Sequence, residues 1–482
     1  MHNYLKIMLL FSTLLFSTLC CVSTPRPGTP VVESRPSLTA LPPSPASVQS
    51  PTPLIPTDTP APASLNASGP FIVFKGQSGI WITNPDGSFP TRVSDIQIQG
   101  DLRHTISPSG DRMALVVQND QGLDLLIVKI PGGEMETIAH LISITRNESE
   151  TSQKGFARMA IRDYDSVAWQ PGAGGLLAFI GAIKGPTADL YVYDTHTQET
   201  TQLTDGPSQA ILPTWSPDGQ YILNYGVSWV PPFGGAIGPA NQLDGVWAVH
   251  VPDGKLITLP KPKGNLPNFV GWQDDAHYLT YDSDNDCVSK NLHSVNVVSG
   301  ENTPIMDFSF DTYIAQSPEN GALLFSSTAG CSNSLGEGTF LLLPGQTTPL
   351  RLLDKRAWGI DWLPESQLFD GYPEALISSD GNTRYDPPAY DSSFNPAVSM
   401  LGYQAWKVYE NQVAHVLIKI PGADWQDVLI GSVSQLIWDP IHGKTLLIAQ
   451  GNGSLYGATF PDFIPRQVGS LGGSMNQAIW LL

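Results

Sequence analysis

Apolar residues come in short runs of roughly four to seven along this chain, and Gly, Pro, Asn and Asp separate the runs. Many of the runs contain β-branched or aromatic residues, which is the pattern of β-strands joined by turns. Beyond the N-terminus, no amphipathic stretch of about 12 residues or more predicts a helix. The hydrophobic pattern therefore predicts an all-β protein.

One stretch, PTWSPDGQYIL from Pro213 to Leu223, recurs in degraded form along the chain. It combines an aromatic residue, a tight-turn tetrapeptide and an apolar run. In most copies a second apolar run, a polar turn and a third run follow, so the unit has four strands, A to D. The other copies begin at His104, Val167, Val270, Ile314, Ile360 and Leu436.

The repeated unit predicts a β-propeller. Pro217 sets φ, and Gly219 permits a positive φ, so Ser-Pro-Asp-Gly fits a hairpin turn between strands A and B. A single small sheet cannot bury both of its faces, and radial stacking also protects the strand edges. The A strands at positions 106, 169, 215, 272, 316, 362, 438 and 480 predict eight blades. Seven is the alternative, because the unit at 360–433 is poorly formed.

The ends of the repeat region predict how the ring closes. The first unit, from Phe71, supplies strands B, C and D without an A strand. The chain ends on NQAIWLL, a lone A strand with Trp480 in the position of the repeat Trp. We therefore expect the C-terminal strand to complete the N-terminal blade.

The segments IWITNPDGSFPTRVSD and PTWSPDGQYIL resemble the WD40-like repeat of TolB-type propellers. The same repeat occurs in the propeller domains of tricorn and prolyl-oligopeptidase proteins. The resemblance covers nearly all of residues 70–482 and implies the propeller architecture. TolB-type propellers bind partner proteins in the bacterial envelope, which implies a binding role. The separate hydrolase domain of the oligopeptidases has no room in this chain.

The N-terminal region predicts export and a tether. Residues 1–21 contain an apolar run that is too short for a comfortable transmembrane helix and reads as a secretory signal. The following Cys20 and Cys21 resemble a bacterial lipoprotein signal, which implies that one of the two is acylated. A cleaved, secreted form is the alternative. Residues 22–69 are rich in Pro, Ser and Thr and lack aromatic residues, so they predict a disordered stalk ahead of a single domain at 70–482.

Long loops fall almost entirely on one face of the predicted propeller, the face of the B–C and D–A connections. A rigid scaffold with elaborated loops on one side is typical of a binding surface. Aromatic residues on these loops are candidates to stack on a sugar ring or a partner: Trp229, Phe233, Tyr385, Tyr390 and Phe394. The alternative is that they fasten the loops to the scaffold.

Cysteine and aspartate residues on the same loops suggest two further sites. Cys287 and Cys331 occupy matching B–C loops of adjacent blades, which predicts a disulfide in an exported domain. The alternating Asp282, Asp284 and Asp286 resemble the start of a calcium loop. Cys287 and His293 replace the Gly and Glu that such a loop requires, so a solvated acidic loop is the stronger interpretation. We expect no cofactor.

Net charge and the missing motifs limit the function. A charge of −19 argues against nucleic-acid binding. The chain has no G-x-S-x-G elbow and no zinc spacing. These features favour a monomeric, non-enzymatic, extracytoplasmic binding protein for a protein or glycan partner. The alternative is a propeller enzyme that acts on polysaccharide, for which the loop-face carboxylates are Asp163, Asp165, Asp244, Asp386 and Asp391.

Overall fold

A computed structural model of the chain divides into two compact units, Met1–Ala63 and Ser64–Leu482. The structure describes residues 64–66, 69–96, 102–144, 152–163, 165–172, 174–230, 240–264, 267–283, 289–306, 314–317, 320–327, 335–356, 358–363, 368–372, 375–378, 384–389 and 392–481. All of these belong to the second unit. The predicted signal at 1–21, with Cys20 and Cys21, and nearly all of the predicted stalk lie outside them.

The regular secondary structure of the second unit consists almost entirely of strands. In its first half they are β1 (Phe71–Gly76), β2 (Gly79–Thr83), β3 (Thr91–Ser94), β4 (Arg112–Gln118), β5 (Gly122–Lys129), β6 (Met135–Ser143), β7 (Val167–Trp169), β8 (Leu176–Gly181), β9 (Asp189–Asp194), β10 (Glu199–Gln202), β11 (Gln209–Trp215), β12 (Tyr221–Val230), β13 (Ala240–His250), β14 (Lys255–Leu259), β15 (Phe269–Trp272), β16 (His277–Ser283), β17 (Ser289–Asn296) and β18 (Asn302–Met306).

The second half continues with β19 (Ile314–Gln316), β20 (Leu323–Ser327), β21 (Gly338–Leu342), β22 (Leu350–Leu353), β23 (Trp358–Leu363), β24 (Leu368–Tyr372), β25 (Ala375–Ser378), β26 (Arg384–Tyr385), β27 (Ser392–Val398), β28 (Gln404–Glu410), β29 (Val413–Lys419), β30 (Gln426–Ile430), β31 (Val433–Trp438), β32 (Thr445–Gln450), β33 (Ser454–Thr459), β34 (Arg466–Ser470) and β35 (Met475–Leu481). Two helices are described, α1 (Leu102–Thr105) and α2 (Gln153–Arg162).

These strands form eight four-stranded antiparallel sheets, which confirms the predicted all-β propeller of four-stranded units. The sheets are β35–β1–β2–β3, β7–β10, β11–β14, β15–β18, β19–β22, β23–β26, β27–β30 and β31–β34. Within a sheet, the central strands are apolar and buried, as in β8, whereas the outermost strand is polar, as in Glu199–Gln202 of β10. Polar outer strands are a usual protection for exposed sheet edges.

The distribution of the sheets along the chain differs from the predicted one in two places. The strands β4, β5 and β6 form an additional sheet of three strands, in which a bridge between Ile106 and Met113 takes the place of a fourth. In addition, the segment that reads as one poor repeat at 360–433 contains two complete sheets, β23–β26 and β27–β30. The second of these has Val398 in the position of the repeat Trp, which hides its first strand from the sequence pattern.

The C-terminal strand closes the first sheet, as predicted. β35 lies antiparallel to β1, and the pairs run from Phe71 with Leu481 to Gly76 with Met475. Met475 is 1% exposed and packs with Ile72 and Phe74 of β1. The first and last strands of the domain therefore share one sheet and one core.

The repeat motif forms the turns between strands A and B and the contacts between neighbouring sheets. In Ser216–Gly219 the backbone N–H of Gly219 donates to the carbonyl of Ser216 at 2.9 Å, and the Ser216 hydroxyl bonds to Asp218. The repeat Trp crosses to the preceding sheet. Its indole N–H donates to a main-chain carbonyl there, as in Trp169 to Thr105, Trp215 to Ala168, Trp362 to Ala315 and Trp438 to Ala397.

Candidate functional site

The long connections lie on one face of the propeller, called here the loop face, which carries the B–C and D–A connections of all sheets. Two additions to the repeat stand on it. One is α2, in the D–A connection between β6 and β7. The other is the hairpin of β12 and β13, whose pairing continues to Val230 and Ala240, well past the start of β11 at Gln209. No helix in the described part of the chain is long and apolar enough to cross a membrane.

The two additions pack against each other through an aromatic pair. Trp229 of the hairpin stacks on Phe156 of α2, with ring centroids 6.0 Å apart and planes inclined by 29°. Trp229 is 9% exposed. Its ring therefore joins the helix to the hairpin and is not presented to solvent for stacking on a sugar.

The other predicted aromatic residues are distributed differently from the expectation. Tyr385 ends the outer strand β26 and packs, half-buried, on the cluster that contains Trp406. Phe394 lies in β27, an inner strand and not a loop. Phe233 and Tyr390 lie outside the described residues. The three described members of this set, Trp229, Tyr385 and Phe394, thus lie in three different sheets.

The helix α2 presents basic side chains along one side. Lys154, Arg158 and Arg162 are spaced by four residues, so they lie on the same side of the helix. Lys154 and Arg162 are exposed and Arg158 is half-buried. Buried Ala157, Ala160 and Ile161 fix the helix to the scaffold. The three basic residues are called the basic stripe below.

Local interactions define both ends of this helix. At its N-terminus the Ser152 hydroxyl accepts a hydrogen bond from the Gly155 N–H at 2.9 Å, a regular N-cap. At its C-terminus Arg162 Nε donates to Asp163 Oδ1 at 2.6 Å. Near the first turn, the amides of Gln209 and Gln153 lie 3.4 Å apart, which connects the helix to the beginning of the inner strand β11. The basic stripe is therefore held rigidly near the inner end of the loop face.

Further polar pairs lie where the chain enters inner strands. His104 of α1 lies 3.0 Å from Asp165, which directly precedes β7. On the next sheet, the Asp244 carboxylate accepts hydrogen bonds from the hydroxyls of Ser208 at 2.6 Å and Ser228 at 2.9 Å. These aspartates, predicted as loop-face carboxylates, thus have partners in the protein.

Asp282, the described member of the predicted calcium triplet, is engaged in the scaffold. Its Oδ1 accepts from the Lys263 N–H at 2.8 Å, and its Oδ2 accepts from the Asn291 amide at 3.1 Å. Burial alone would raise the pKa of Asp282, but these bonds and nearby His293 hold that pKa below its ordinary value. Asp284 and Asp286 lie outside the described residues. Among the described residues, no group of three or more His, Cys, Asp or Glu side chains could hold a metal ion. Cys287 and Cys331 also lie outside them.

A buried carboxyl that the sequence pattern does not single out lies at the start of β9. Asp189 is 3% exposed and accepts hydrogen bonds from Thr204 at 3.1 Å and from the Gly206 N–H at 3.3 Å. Burial raises the pKa of Asp189 despite these bonds. The segment that it holds, with Lys184, lines a polar cavity of about 460 Å³ beside β10.

Comparisons with known proteins find local and distant likenesses. No family model matches the chain. A stretch of 55 residues, 11% of this chain, is 46% identical to an uncharacterized peptidase, YuxL, of Bacillus subtilis (strain 168), and spans 8% of that protein. Dipeptidyl peptidase 4 of Porphyromonas gingivalis matches 84% of this chain and 60% of its own, at 9% identity and a TM-score of 0.43. TolB from Acinetobacter baumannii matches 77% of this chain and 82% of its own, at 13% identity and a TM-score of 0.26.

Proposed function

We propose that this protein is an extracytoplasmic, membrane-tethered propeller that binds an acidic segment of a partner protein on its loop face. The basic stripe of α2 is the observation that carries the proposal. The chain has a net charge of −19, yet Lys154, Arg158 and Arg162 are gathered on one side of a helix that has no acidic residue in its first turn. A local charge opposite in sign to the rest of the surface favours an anionic partner in one orientation.

The attachment of the helix supports the same role. The Phe156–Trp229 stack and the buried alanines hold α2 against the scaffold, so little side-chain or backbone order has to be created when a partner binds. Arginine also forms paired hydrogen bonds with carboxylates, which suits an acidic peptide. A protein partner is favoured over a sugar because Trp229 and Tyr385, the candidate stacking residues with described side chains, are packed into the protein.

Charge reversal on α2 tests the proposal. The probe is a fluorescent deca-glutamate peptide, and its binding is followed by fluorescence anisotropy at low salt. We expect K154E/R162E to weaken binding by about 10-fold or more, because two attractive contacts become repulsive. Raising the salt concentration should reduce the difference, since the charges are exposed.

The matched control is K255E/K444E, which exchanges two exposed lysines on the opposite face, at the start of β14 and just before β32. Each exchange changes the charge by −2, so both double variants go from −19 to −23. The control should bind the peptide like the wild type. Equal weakening in both variants would mean that overall charge is responsible and would overturn the proposal. So would tighter, stripe-dependent binding of polygalacturonate than of the peptide, because the partner would then be a glycan.

A further inference from the structure

Three side chains on the additional sheet form a hydrogen-bonded relay. The Ser143 hydroxyl lies 2.9 Å from His140 Nε2, and His140 Nδ1 lies 2.6 Å from Asp124 Oδ1. The order is a hydroxyl, an imidazole that can take its proton, and a carboxylate that orients the imidazole. This is the arrangement in which a serine becomes a nucleophile, and it is recognised by geometry and not by position in the sequence.

A β-bulge places the relay on one side of the sheet. Residues three apart in a regular strand point to opposite sides, so His140 and Ser143 would normally diverge. In β6 the pairing with β5 shifts: Ile142 pairs with Leu123 and His140 with Asp124, which leaves Leu141 as an extra residue. The bulge restores a common side for His140 and Ser143.

The residue opposite Ser143 is Gly122, and its lack of a side chain makes room for the imidazole. Gly122 has a φ of +152°, and a Cβ there would lie 1.8 Å from the Ile142 carbonyl oxygen and 3.2 Å from His140 Cε1. The His140 ring therefore occupies the space beside this glycine. Any side chain at position 122 would displace β6 and the ring that forms the middle of the relay.

A turn fixes the carboxylate from behind. Asn119 Nδ2 donates to Asp124 Oδ2, while Asn119 Oδ1 accepts the backbone N–H groups of Gln121 at 2.8 Å and Gly122 at 3.0 Å. When Nδ1 carries the proton of His140, Asp124 Oδ1 accepts it. The Nε2 lone pair is then directed at the Ser143 hydroxyl.

Accessibility distinguishes the relay from a buried structural network. The His140 side chain is 41% exposed, and Ser143 is also exposed at the loop-face end of β6. Histidine–aspartate pairs recur in this chain, for example His250 with Asp253 and His415 with Asp427. His140 carries in addition a serine hydroxyl on its second ring nitrogen.

We propose that Ser143 is the nucleophile of an acyl-transfer site for small, unhindered carboxylic esters. The Ser143 oxygen bonds to the ester carbonyl carbon as its proton passes to His140 Nε2. The bond to the alcohol oxygen then breaks, and the alcohol leaves with the proton from His140. Water attacks the acyl-serine by the same path, which releases the carboxylic acid and restores Ser143. An exposed site on a sheet edge suits short acyl groups that project from a larger molecule.

A fluorophosphonate probe tests the nucleophile, because it forms a stable bond only with an activated serine. We expect peptide mass spectrometry to find the label on Ser143 of the full chain. His140→Gln should slow the labelling by about 100-fold or more, which is the usual contribution of a general base. Ser143→Ala should abolish both the labelling and the hydrolysis of p-nitrophenyl acetate.

Ser228 is the matched control, because its hydroxyl bonds directly to Asp244 on the same face. Ser228→Ala should leave the labelling of Ser143 unchanged. Labelling of Ser143 that is no faster than that of Ser228, or that is equal in the His140→Gln variant, would overturn the proposal. His140 and Ser143 are exposed and Ser228 is half-buried, and a matching melting temperature verifies that each variant is folded.

Asp124 is a positioning residue and needs a different readout. Asp124→Asn keeps the shape but removes the charge that stabilises the imidazolium and selects the Nδ1–H form. We expect slower labelling with an altered pH profile. An unchanged rate and pH profile in this variant would show that the carboxylate does not orient the base. This site is separate from the basic stripe, so the peptide-binding test and the labelling test succeed or fail independently.

Discussion

Indole N–H groups of the repeat Trp join neighbouring sheets, and their contribution to stability can be measured. Trp169 donates to the Thr105 carbonyl at 2.8 Å. Trp272 has the same repeat position, but its Nε1 is buried with no hydrogen-bond partner among the described residues. Both side chains are half-buried. Replacing each by Phe therefore removes the same atoms from similar surroundings, with one difference in hydrogen bonding.

The two substitutions are expected to change the free energy of unfolding by different amounts, and the changes can have opposite signs. Each substitution loses apolar contacts worth about 1 kcal/mol. Trp169→Phe also leaves the Thr105 carbonyl without its donor, which costs a further 1–3 kcal/mol or so, about 2–4 kcal/mol in total. Trp272→Phe instead removes a buried, unpaired N–H, and the gain of about 1–3 kcal/mol offsets the lost contacts.

Scanning calorimetry measures the difference. For a domain of this size, an unfolding entropy of about 2.1 cal/mol/K per residue converts 1 kcal/mol into about 1 °C of melting temperature. We expect Trp169→Phe to melt about 2–4 °C below the wild type and Trp272→Phe to stay within about 1 °C of it or to exceed it. If both variants lose the same melting temperature, or if Trp272→Phe loses more, the indole hydrogen bonds do not stabilise the ring as argued.

Ring closure, one surface ion pair and the Cys287–Cys331 pair can each be tested directly. Deleting Met475–Leu481 should unfold the domain, because it exposes the buried core of the first sheet; a cooperative calorimetric transition at the wild-type temperature would contradict ring closure. The hydrogen bond from His250 lowers the pKa of Asp253 in the folded protein below its usual 3.8. The stabilisation by this bond is therefore complete above pH 3.8 and is lost as the pH falls through the pKa of Asp253 in the folded protein. Asp253→Asn should therefore reduce the acid dependence of the melting temperature, and an unchanged dependence would count against the bond. Non-reducing peptide mapping should find Cys287 joined to Cys331, and two alkylated thiols would exclude the disulfide.

The parts of the fold that sequence reasoning predicts are those that depend on backbone chemistry at fixed positions. Gly219 has a φ of +67°, and its turn has the hydrogen bond that Ser-Pro-Asp-Gly predicts. The repeat Trp is also recognisable because a large aromatic residue precedes the same turn each time. The lone terminal strand with Trp480 predicts closure for the same reason, and β35 confirms it.

The sheet β27–β30, the helix α2 and the Ser143 relay depend on tertiary contacts that cannot be seen in a single sequence. The sheet β27–β30 keeps the turn at Ser399 and Gly402, but Val398 replaces the aromatic residue, so its copy of the motif is not recognised. The helix α2 has only ten residues and is stabilised by tertiary packing of Phe156 more than by its own periodicity. The Ser143 relay requires a bulge, and an extra residue in one strand leaves no signature in composition or spacing.

Pairing of β1 with β35 has a consequence for the synthesis and folding of the chain. Until residues near Leu481 have been made, the inner edge of β1 has no partner, and its apolar residues Ile72 and Phe74 lack the late residues Leu447, Leu455 and Met475 that cover them. The chain must therefore carry an exposed, hydrophobic strand edge while every later sheet is produced, which is a known starting point for aggregation. The first sheet can thus be completed only after β35 has been made, and a chaperone that holds extended apolar segments would protect the nascent chain at this strand.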